Sequence, residues 1–241
     1  MGHQVGMIRR LLRLALIGSL TGIIAMLCWP FHDGVFRYGL PLSLVACWVV
    51  TLFWAWPRKT ARVLLMTLPV LVVLPFCLPD KPMDPEKLHA RYVMALRRLE
   101  GVRYLWGGES RWGIDCSGLP RRALRDALWE TGWETGNGAA FRDWAEQWWF
   151  DTSAMALGEN YRGFTRPLGI AGKLEDLDTA FLSPGDLAVT DDGKHVMVFL
   201  EGDRWIQANP VVWKVAIGRA VPDENVWFNA GVAVHRWMVL E

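Results

Sequence analysis

Cys116 is the only cysteine in the polar part of this chain, which begins near Pro79. The other three, Cys28, Cys47 and Cys77, lie inside apolar stretches, where a cysteine usually serves as a small apolar residue. No disulfide can therefore form within the polar part, and its lone thiol is a candidate nucleophile. A nucleophilic thiol needs a lowered pKa, which a helix N-terminus or a histidine supplies, and a donor for the developing oxyanion.

The residues that precede Cys116 could supply these requirements. Residues 104–108 read Tyr-Leu-Trp-Gly-Gly, and residues 113–119 read Gly-Ile-Asp-Cys-Ser-Gly-Leu. Asp115 is a typical helix cap, so Cys116 is expected to open a helix whose N–H groups point at the sulfur. Pro120 removes one donor early in that helix, so the first turn could begin a residue or two later.

Each candidate residue, taken singly, also has a purely structural explanation. A lone cysteine is more often a buried small residue, and a lone histidine or glutamine is more often structural. The Trp-Gly-Gly segment and the cap beside Cys116 favour catalysis when all features are taken together. His89 and His235 have no such neighbours and are interpreted as structural. No pair of cysteine and histidine has zinc-ligand spacing, so neither a metal nor another cofactor is expected.

The chain resembles the NlpC-type family of papain-like cell-wall cysteine peptidases in four ordered blocks. Two are the segments around Trp106 and Cys116. The third is Leu-Ser-Pro-Gly-Asp-Leu at 182–187, and the fourth is His195-Val196 opening a hairpin that ends in Ile-Gln-Ala at 206–208. The resemblance spans about residues 88–210. It implies a papain-like α+β domain in which a Cys–His pair, oriented by a third polar residue, hydrolyses amide bonds in peptidoglycan stem peptides.

The resemblance also implies a role for each matching residue. Cys116 would be the nucleophile, His195 the general base and then acid, and Gln207 the residue that orients the histidine. The residues expected near the substrate or the oxyanion are Tyr104, Ser117 and Trp106.

Two positions depart from the family pattern. Met197 stands where a small residue is common and is expected to narrow the cleft. Gln207 stands where a histidine is common, but an amide oxygen can still accept the histidine N–H.

Strand pairing gives a check that does not depend on the family. If Gly202 centres a three-residue turn, His195 lies opposite Asn209 and Gln207 lies opposite Met197. Alternate residues share a face of a strand, so His195, Gln207 and Asn209 would point the same way. Either amide could then orient the histidine. A two-residue turn would reverse this parity.

Helices are expected first and strands afterwards. Asp84 can cap a helix that ends by Gly101, and a second helix is predicted at about 116–129. A third helical piece at 141–150 falls in a Trp-rich insertion at about 130–177, which is otherwise irregular. Its tryptophans at 144, 148 and 149 are interpreted as core or membrane-surface residues rather than as a substrate platform.

The predicted strands are Leu187–Val189, His195–Leu200, Arg204–Ala208, Val211–Ala216 and Val226–Leu240. This order predicts an α+β domain with an antiparallel sheet packed on helices.

Three apolar stretches before Pro79 predict transmembrane helices at about 11–29, 38–56 and 63–78. The first is too long for a signal-peptide core and is expected to be retained. The predicted organisation is therefore a membrane domain at 1–78, a linker at 79–83 and a catalytic domain at 84–241.

Basic residues predict the orientation of these helices. Three arginines (Arg9, Arg10 and Arg13) lie before or at the start of the first apolar stretch, and three basic residues join the second to the third. By the positive-inside rule both segments face the cytoplasm. The protein is therefore expected in the inner membrane of a bacterium as a multi-pass protein with its catalytic domain outside the cytoplasm.

The distribution of charge limits the partners. Residues 1–79 carry seven basic residues and one acid, a net charge of +6, and the remainder carries −5. This acidic remainder makes nucleic acid an unsuitable partner. The expected partners are the membrane and a peptidoglycan peptide. Two other functions stay open: acyl transfer or another amide substrate at the same thiol, and a catalytically silent module that binds cell wall or a protein partner.

Overall fold

A computed structural model describes residues 2–150, 152–220 and 226–241 of the chain. The chain divides into two compact units, Met1–Leu78 and Pro79–Glu241.

The first unit consists of apolar helices. They are α1 (Gly2–Leu27), α2 (Gly34–Ala55) and α3 (Lys59–Val73), and a short 3-10 helix at Leu74–Cys77 continues α3. Asp33 caps α2 by accepting the Phe36 N–H at 2.9 Å. Candidate membrane spans of 19 to 22 residues lie in these helices, which matches the ~20 residues that cross a hydrocarbon core. Three long apolar helices are therefore confirmed, although α1 begins earlier than predicted.

Among the described residues of the second unit there are four α-helices: α4 (Pro85–Arg98), α5 (Gly118–Thr135), α6 (Gly138–Trp149) and α7 (Ala154–Gly158). Asp84 caps α4 as predicted, since its carboxylate accepts the Lys87 N–H at 3.2 Å. For the second helix, the later start that Pro120 indicates, a residue or two after Cys116, is the one observed. That helix begins at Gly118, because the Asp115 side chain captures the N–H of Gly118.

The strands form two antiparallel sheets. β1 (Glu109–Ser110) pairs with β2 (Gly113–Ile114). The larger sheet has six strands in the order β3-β8-β4-β5-β6-β7. Its strands are β3 (Thr165–Lys173), β4 (Leu187–Thr190), β5 (Val196–Glu201), β6 (Arg204–Asn209), β7 (Lys214–Arg219) and β8 (Gly231–Trp237). The predicted α+β class is therefore confirmed.

Three strand predictions are wrong in detail. The strand predicted at Val226–Leu240 spans only Gly231–Trp237, because residues 226–229 form a turn and Met238–Leu240 forms a 3-10 helix. β3 falls in a segment predicted to be irregular, because its proline and glycines hide the strand pattern and a register shift interrupts its pairing with β8. β7 begins at Lys214 rather than Val211, because Pro210–Trp213 forms the turn that joins it to β6.

The sheet separates two apolar clusters. One contains side chains of α4, α5 and alternate residues of β5 and β6, such as Leu88, Leu124 and Val198. The other contains the intervening strand residues, including Met197 and Trp205. Met197 is completely buried in this second cluster, so it packs the core and the expectation that it narrows a cleft is wrong.

Candidate functional site

One carboxylate joins the Trp-Gly-Gly loop to the start of α5. Asp115 Oδ2 accepts the Gly107 N–H at 2.8 Å, and Oδ1 accepts the Gly118 N–H at 2.6 Å. The Ser117 hydroxyl also donates to Oδ1, at 3.1 Å. Asp115 therefore caps α5, although the helix begins three residues later. Its bonds to the Gly107 and Gly118 N–H groups fix the backbone before and after Cys116.

Close backbone packing explains the glycines on both sides of Cys116. A Cβ atom at Gly108 would lie 2.5 Å from the Gly113 carbonyl oxygen, and a Cβ atom at Gly118 would clash with the Gly108 carbonyl. No larger residue fits at either position without moving backbone. The glycines therefore allow the loop, β2 and α5 to meet behind the thiol.

The Cys116 thiol lies beside the backbone at the start of β5. Its Sγ atom is 3.7 Å from the Lys194 carbonyl oxygen, to which it donates. Burial, with the charge of Asp115 adding to it, raises the pKa of Cys116 to about 12, although the backbone N–H groups of Val196, Ser117 and Cys116 favour the thiolate. The expected lowering of this pKa is therefore wrong, because desolvation outweighs the donors.

His195 is held through both its backbone and its ring. Its N–H donates to Thr190 Oγ1 and its carbonyl accepts the Thr190 N–H, each at 3.0 Å. Nε2 lies 2.7 Å from Gln207 Oε1. Since an amide oxygen only accepts, Nε2 carries the proton and Nδ1 keeps a lone pair. Burial lowers the pKa of His195 to about 4, although the bond to Gln207 and the charge of Asp192 both oppose this.

Gln207 rather than Asn209 reaches the histidine ring. The pairs Val198–Ile206 and Phe199–Trp205 follow the predicted register. The turn has two residues instead of three, but a register shift before Glu201 restores the parity. Asn209 Oδ1 instead accepts the Val211 N–H in the next turn, at 2.8 Å.

Of the three residues expected near the substrate or the oxyanion, only some lie close to the thiol. Tyr104 is partly buried near the thiol, and its pKa is raised to about 12 by burial and by the charges of Cys116 and Asp115. Ser117 is bonded to Asp115. The Trp106 side chain is 76% exposed. The structure thus brings Tyr104 to Cys116 and leaves Trp106 in solvent.

The Leu-Ser-Pro-Gly-Asp-Leu block at 182–187 forms a turn that is fixed by an ion pair and hydrogen bonds. Arg236 on β8 binds both carboxylate oxygens of the buried Asp186, at 2.7 and 2.8 Å. Asp186 also accepts the Ser183 N–H at 2.7 Å. These bonds fix the turn that leads into β4, the strand next to the one that His195 precedes.

Two residues near His195 had no sequence signal. Thr190 anchors the backbone of the histidine from the end of β4. The Trp227 indole stacks on the imidazole, with ring centroids 4.1 Å apart and planes 15° from parallel. The pattern had placed Trp227 in a strand, and only the connection from β7 to β8 brings it to the site.

Among the described residues, no group of three or more histidine, cysteine, aspartate or glutamate side chains could hold a metal ion. The reactive groups that the site brings together are a thiol, a neutral imidazole and an amide that orients the imidazole. Such a set can transfer an acyl group through a thioester.

Comparisons with known proteins find similar solved structures and one matching family. Similar solved structures include the NlpC/P60 domain of the peptidoglycan hydrolase SagA, with 22% identity over 61% of this chain and 97% of that one, at a TM-score of 0.38. The peptidoglycan hydrolase RipB from Mycobacterium tuberculosis has 19% identity over 65% and 68%, at 0.40. An NlpC/P60 family protein from Bacillus cereus has 17% identity over 66% and 41%, also at 0.40. No curated protein matches the chain. The profile of the NlpC/P60 family matches residues 101–236, more than half of the sequence, and the chain therefore belongs to the NlpC/P60 family.

Proposed function

We propose that this protein is a membrane-anchored cysteine peptidase or amidase that hydrolyses amide bonds in peptidoglycan stem peptides. Cys116 is the nucleophile, His195 the base and acid, and Gln207 the orienting residue. One observation carries the proposal: the His195–Gln207 bond of 2.7 Å, formed where the Cys116 sulfur lies 3.7 Å from the adjoining Lys194 carbonyl. Membership of the NlpC/P60 family supports the cell-wall substrate.

The two pKa shifts indicate how the proton moves. The pKa of the thiol is raised and that of the imidazole is lowered, so both groups rest neutral near pH 7. The thiolate therefore forms as the substrate is attacked, by transfer of the Cys116 proton to His195 Nδ1. Gln207 holds Nε2–H throughout, which keeps Nδ1 as the nitrogen that accepts.

The remaining steps follow from this transfer. The sulfur bonds to the carbonyl carbon, and the oxyanion that develops can be stabilised by the Cys116 N–H and the Tyr104 hydroxyl. His195 returns the proton to the leaving amine, and a thioester remains on Cys116. A water molecule deprotonated by Nδ1 then attacks the thioester, and the carboxylic acid and the free thiol are released.

The apolar helices support anchoring in a membrane. We assign residues 1–78 to a membrane domain, 79–83 to a linker and 84–241 to the catalytic domain. The basic residues that flank the candidate spans favour a catalytic domain outside the cytoplasm, where cell wall is found.

Digestion of purified peptidoglycan by the full-length protein in detergent tests the proposal. Mass spectrometry should reveal stem-peptide fragments that carry one new amine and one new carboxylate. Cys116→Ser and His195→Ala should each lower their formation by orders of magnitude, and the double variant should lose little more than either alone. Cys47→Ser in the first unit is the matched control and should retain activity.

Two results would contradict the proposal. Undiminished cleavage by Cys116→Ser would exclude this thiol as the nucleophile. Absence of cleavage, together with transfer of an acyl group from Cys116 to an added amine, would favour a transferase.

A further inference from the structure

Trp227 covers one face of the His195 ring. The indole and imidazole planes are 15° from parallel and their centroids are 4.1 Å apart. His195 is only 2% exposed, and the indole is one of the groups that shield it. Trp227 lies in the connection between β7 and β8, outside the four sequence blocks described above.

The contacts of His195 restrain it in different directions. Thr190 holds its backbone. The bond from Nε2 to Gln207 acts within the plane of the ring. The indole acts perpendicular to that plane, so it blocks the tilt that a single in-plane hydrogen bond leaves possible.

The segment that carries Trp227 is itself anchored. Its neighbour Phe228 is 1% exposed in the second apolar cluster, and the Phe228 carbonyl accepts the Glu175 N–H at 3.2 Å. The Ala230 N–H donates to the Trp227 carbonyl, also at 3.2 Å. A packed core therefore sets the position of the indole.

We propose that Trp227 is a positioning residue for the thiol–imidazole pair, an inference that rests on the proposed function of Cys116 and His195. By covering one face of the imidazole, the indole prevents the ring from tilting, so that Nδ1 keeps one direction, and it keeps water from the His195–Gln207 bond. It acts on proton transfer through His195 and makes no contribution to substrate affinity.

Kinetics of Trp227 variants test this role. Trp227→Ala should lower kcat by about 10²-fold, the effect of a small misplacement of a reacting group, and leave KM unchanged. Trp227→Phe keeps a stacking ring and should retain most of kcat. Val226→Ala, at the exposed adjacent position, is the matched control and should behave like the parent.

Alkylation of Cys116 by iodoacetamide provides a second measurement that needs no substrate. Mass spectrometry of the peptide containing Cys116 gives its rate, in protein whose Cys28, Cys47 and Cys77 are replaced by serine. Since the thiol must lose its proton to react, Trp227→Ala should slow alkylation in parallel with kcat, and Trp227→Phe should not. If Trp227→Ala fails to fold, Trp227→Leu replaces it, because leucine keeps apolar cover without a ring.

The outcomes separate the two proposals. Parental kcat and alkylation in Trp227→Ala or Trp227→Leu, with His195→Ala inactive, would overturn the positioning role alone. A change confined to KM would also overturn it. Parental alkylation and hydrolysis in His195→Ala would overturn the function on which it rests.

Discussion

Gln207 can orient the imidazole of His195, but it cannot neutralise the charge that the ring acquires. A carboxylate at this position would stabilise the imidazolium and raise its pKa. The neutral amide leaves burial as the dominant influence, and the pKa of His195 is accordingly about 4. The ring is therefore neutral near pH 7, with the Nδ1 lone pair able to accept a proton.

The two amides on β6 should differ in their effect on turnover. Gln207→Ala removes the acceptor of the Nε2 proton and frees the tautomer, so kcat should fall by about 10²-fold or more. Asn209→Ala removes a bond to Val211 and should change stability by about 1 kcal/mol with little effect on kcat. Steady-state kinetics of both variants, with melting temperatures, checks this. An equal or larger loss in Asn209→Ala would mean that the wrong amide is assigned.

Burial of His195 predicts a pH dependence of stability. In the folded state its pKa is about 4, against 6.5 when it is unperturbed. Between these values only the unfolded chain binds the proton, so the folded state loses stability as pH falls from 6.5 to 4. The loss from this residue is about 3 kcal/mol. Urea unfolding at pH 7 and pH 4.5 should show a smaller difference in His195→Asn than in the parent. Identical differences would exclude this contribution.

The sequence could predict the residues of the candidate site but not everything that holds them. Cys116, His195 and Gln207 are identifiable because glycine context and strand register constrain them locally. Thr190 and Trp227 contact His195 only through the folding of distant strands, which no local pattern reports. The pKa of Cys116 was predicted in the wrong direction because local donors are visible in a sequence and burial is not.

At the scale of elements, a cluster of buried charged side chains holds the Trp-Gly-Gly loop and β1 against α5. Glu109 in β1 lies 3.4 Å from Arg121 and 3.3 Å from Arg125, and all three side chains are almost completely buried. Arg121 also donates to the carbonyls of Gln147 and Phe150 at the end of α6. The loop before Cys116 is thus joined to both helices beside it.

Removal of this carboxylate should be strongly destabilising. Glu109→Ala leaves two guanidinium groups in a desolvated site, and the expected loss is about 3 to 5 kcal/mol in the free energy of unfolding. Glu146→Ala breaks an exposed pair with Arg162 and should cost at most about 1 kcal/mol. Urea denaturation of both variants in detergent compares them. A loss in Glu109→Ala no greater than in the control would show that the buried charges do not support the loop.

The elements themselves were predictable to the extent that their patterns are regular. Asp84 and the apolar spacing after it gave the start of α4 correctly. β3 was missed because glycines and a proline interrupt it, and it gains its strand structure from pairing with β8. The buried charges had no signal, since an isolated Glu or Arg is usually exposed.

At the scale of the whole molecule, the chain enters the second unit through a segment that is bonded to that unit. The Lys81 N–H donates to Asn137 Oδ1 at 3.1 Å, and Asn137 Nδ2 donates back to the Lys81 carbonyl at 2.8 Å. The Gly138 N–H donates to the Pro79 carbonyl at 3.1 Å. The predicted stiff linker is therefore attached to the turn between α5 and α6, a long-range contact that its prolines could not reveal.

The basic residues of the first unit predict the side of the membrane on which the second unit lies. Alkaline phosphatase fused after Glu241 should be active, because it folds only where disulfides form. The same enzyme fused in the loop after Arg58 should be inactive. The reverse pattern would place the catalytic domain in the cytoplasm and exclude a cell-wall substrate.

Burial of Cys116 also affects how durable the protein is under oxidising conditions. Oxidants attack the thiolate, and a thiol whose pKa is about 12 presents almost none of it at neutral pH. Cys116 is also the sole cysteine of its unit, so no neighbouring thiol can form an internal disulfide with it. If Cys116 acts as proposed, a thiol that stays protonated until it meets an electrophile would be oxidised only slowly between turnovers, which would let the enzyme persist in an oxidising compartment that lacks the reductants of the cytoplasm.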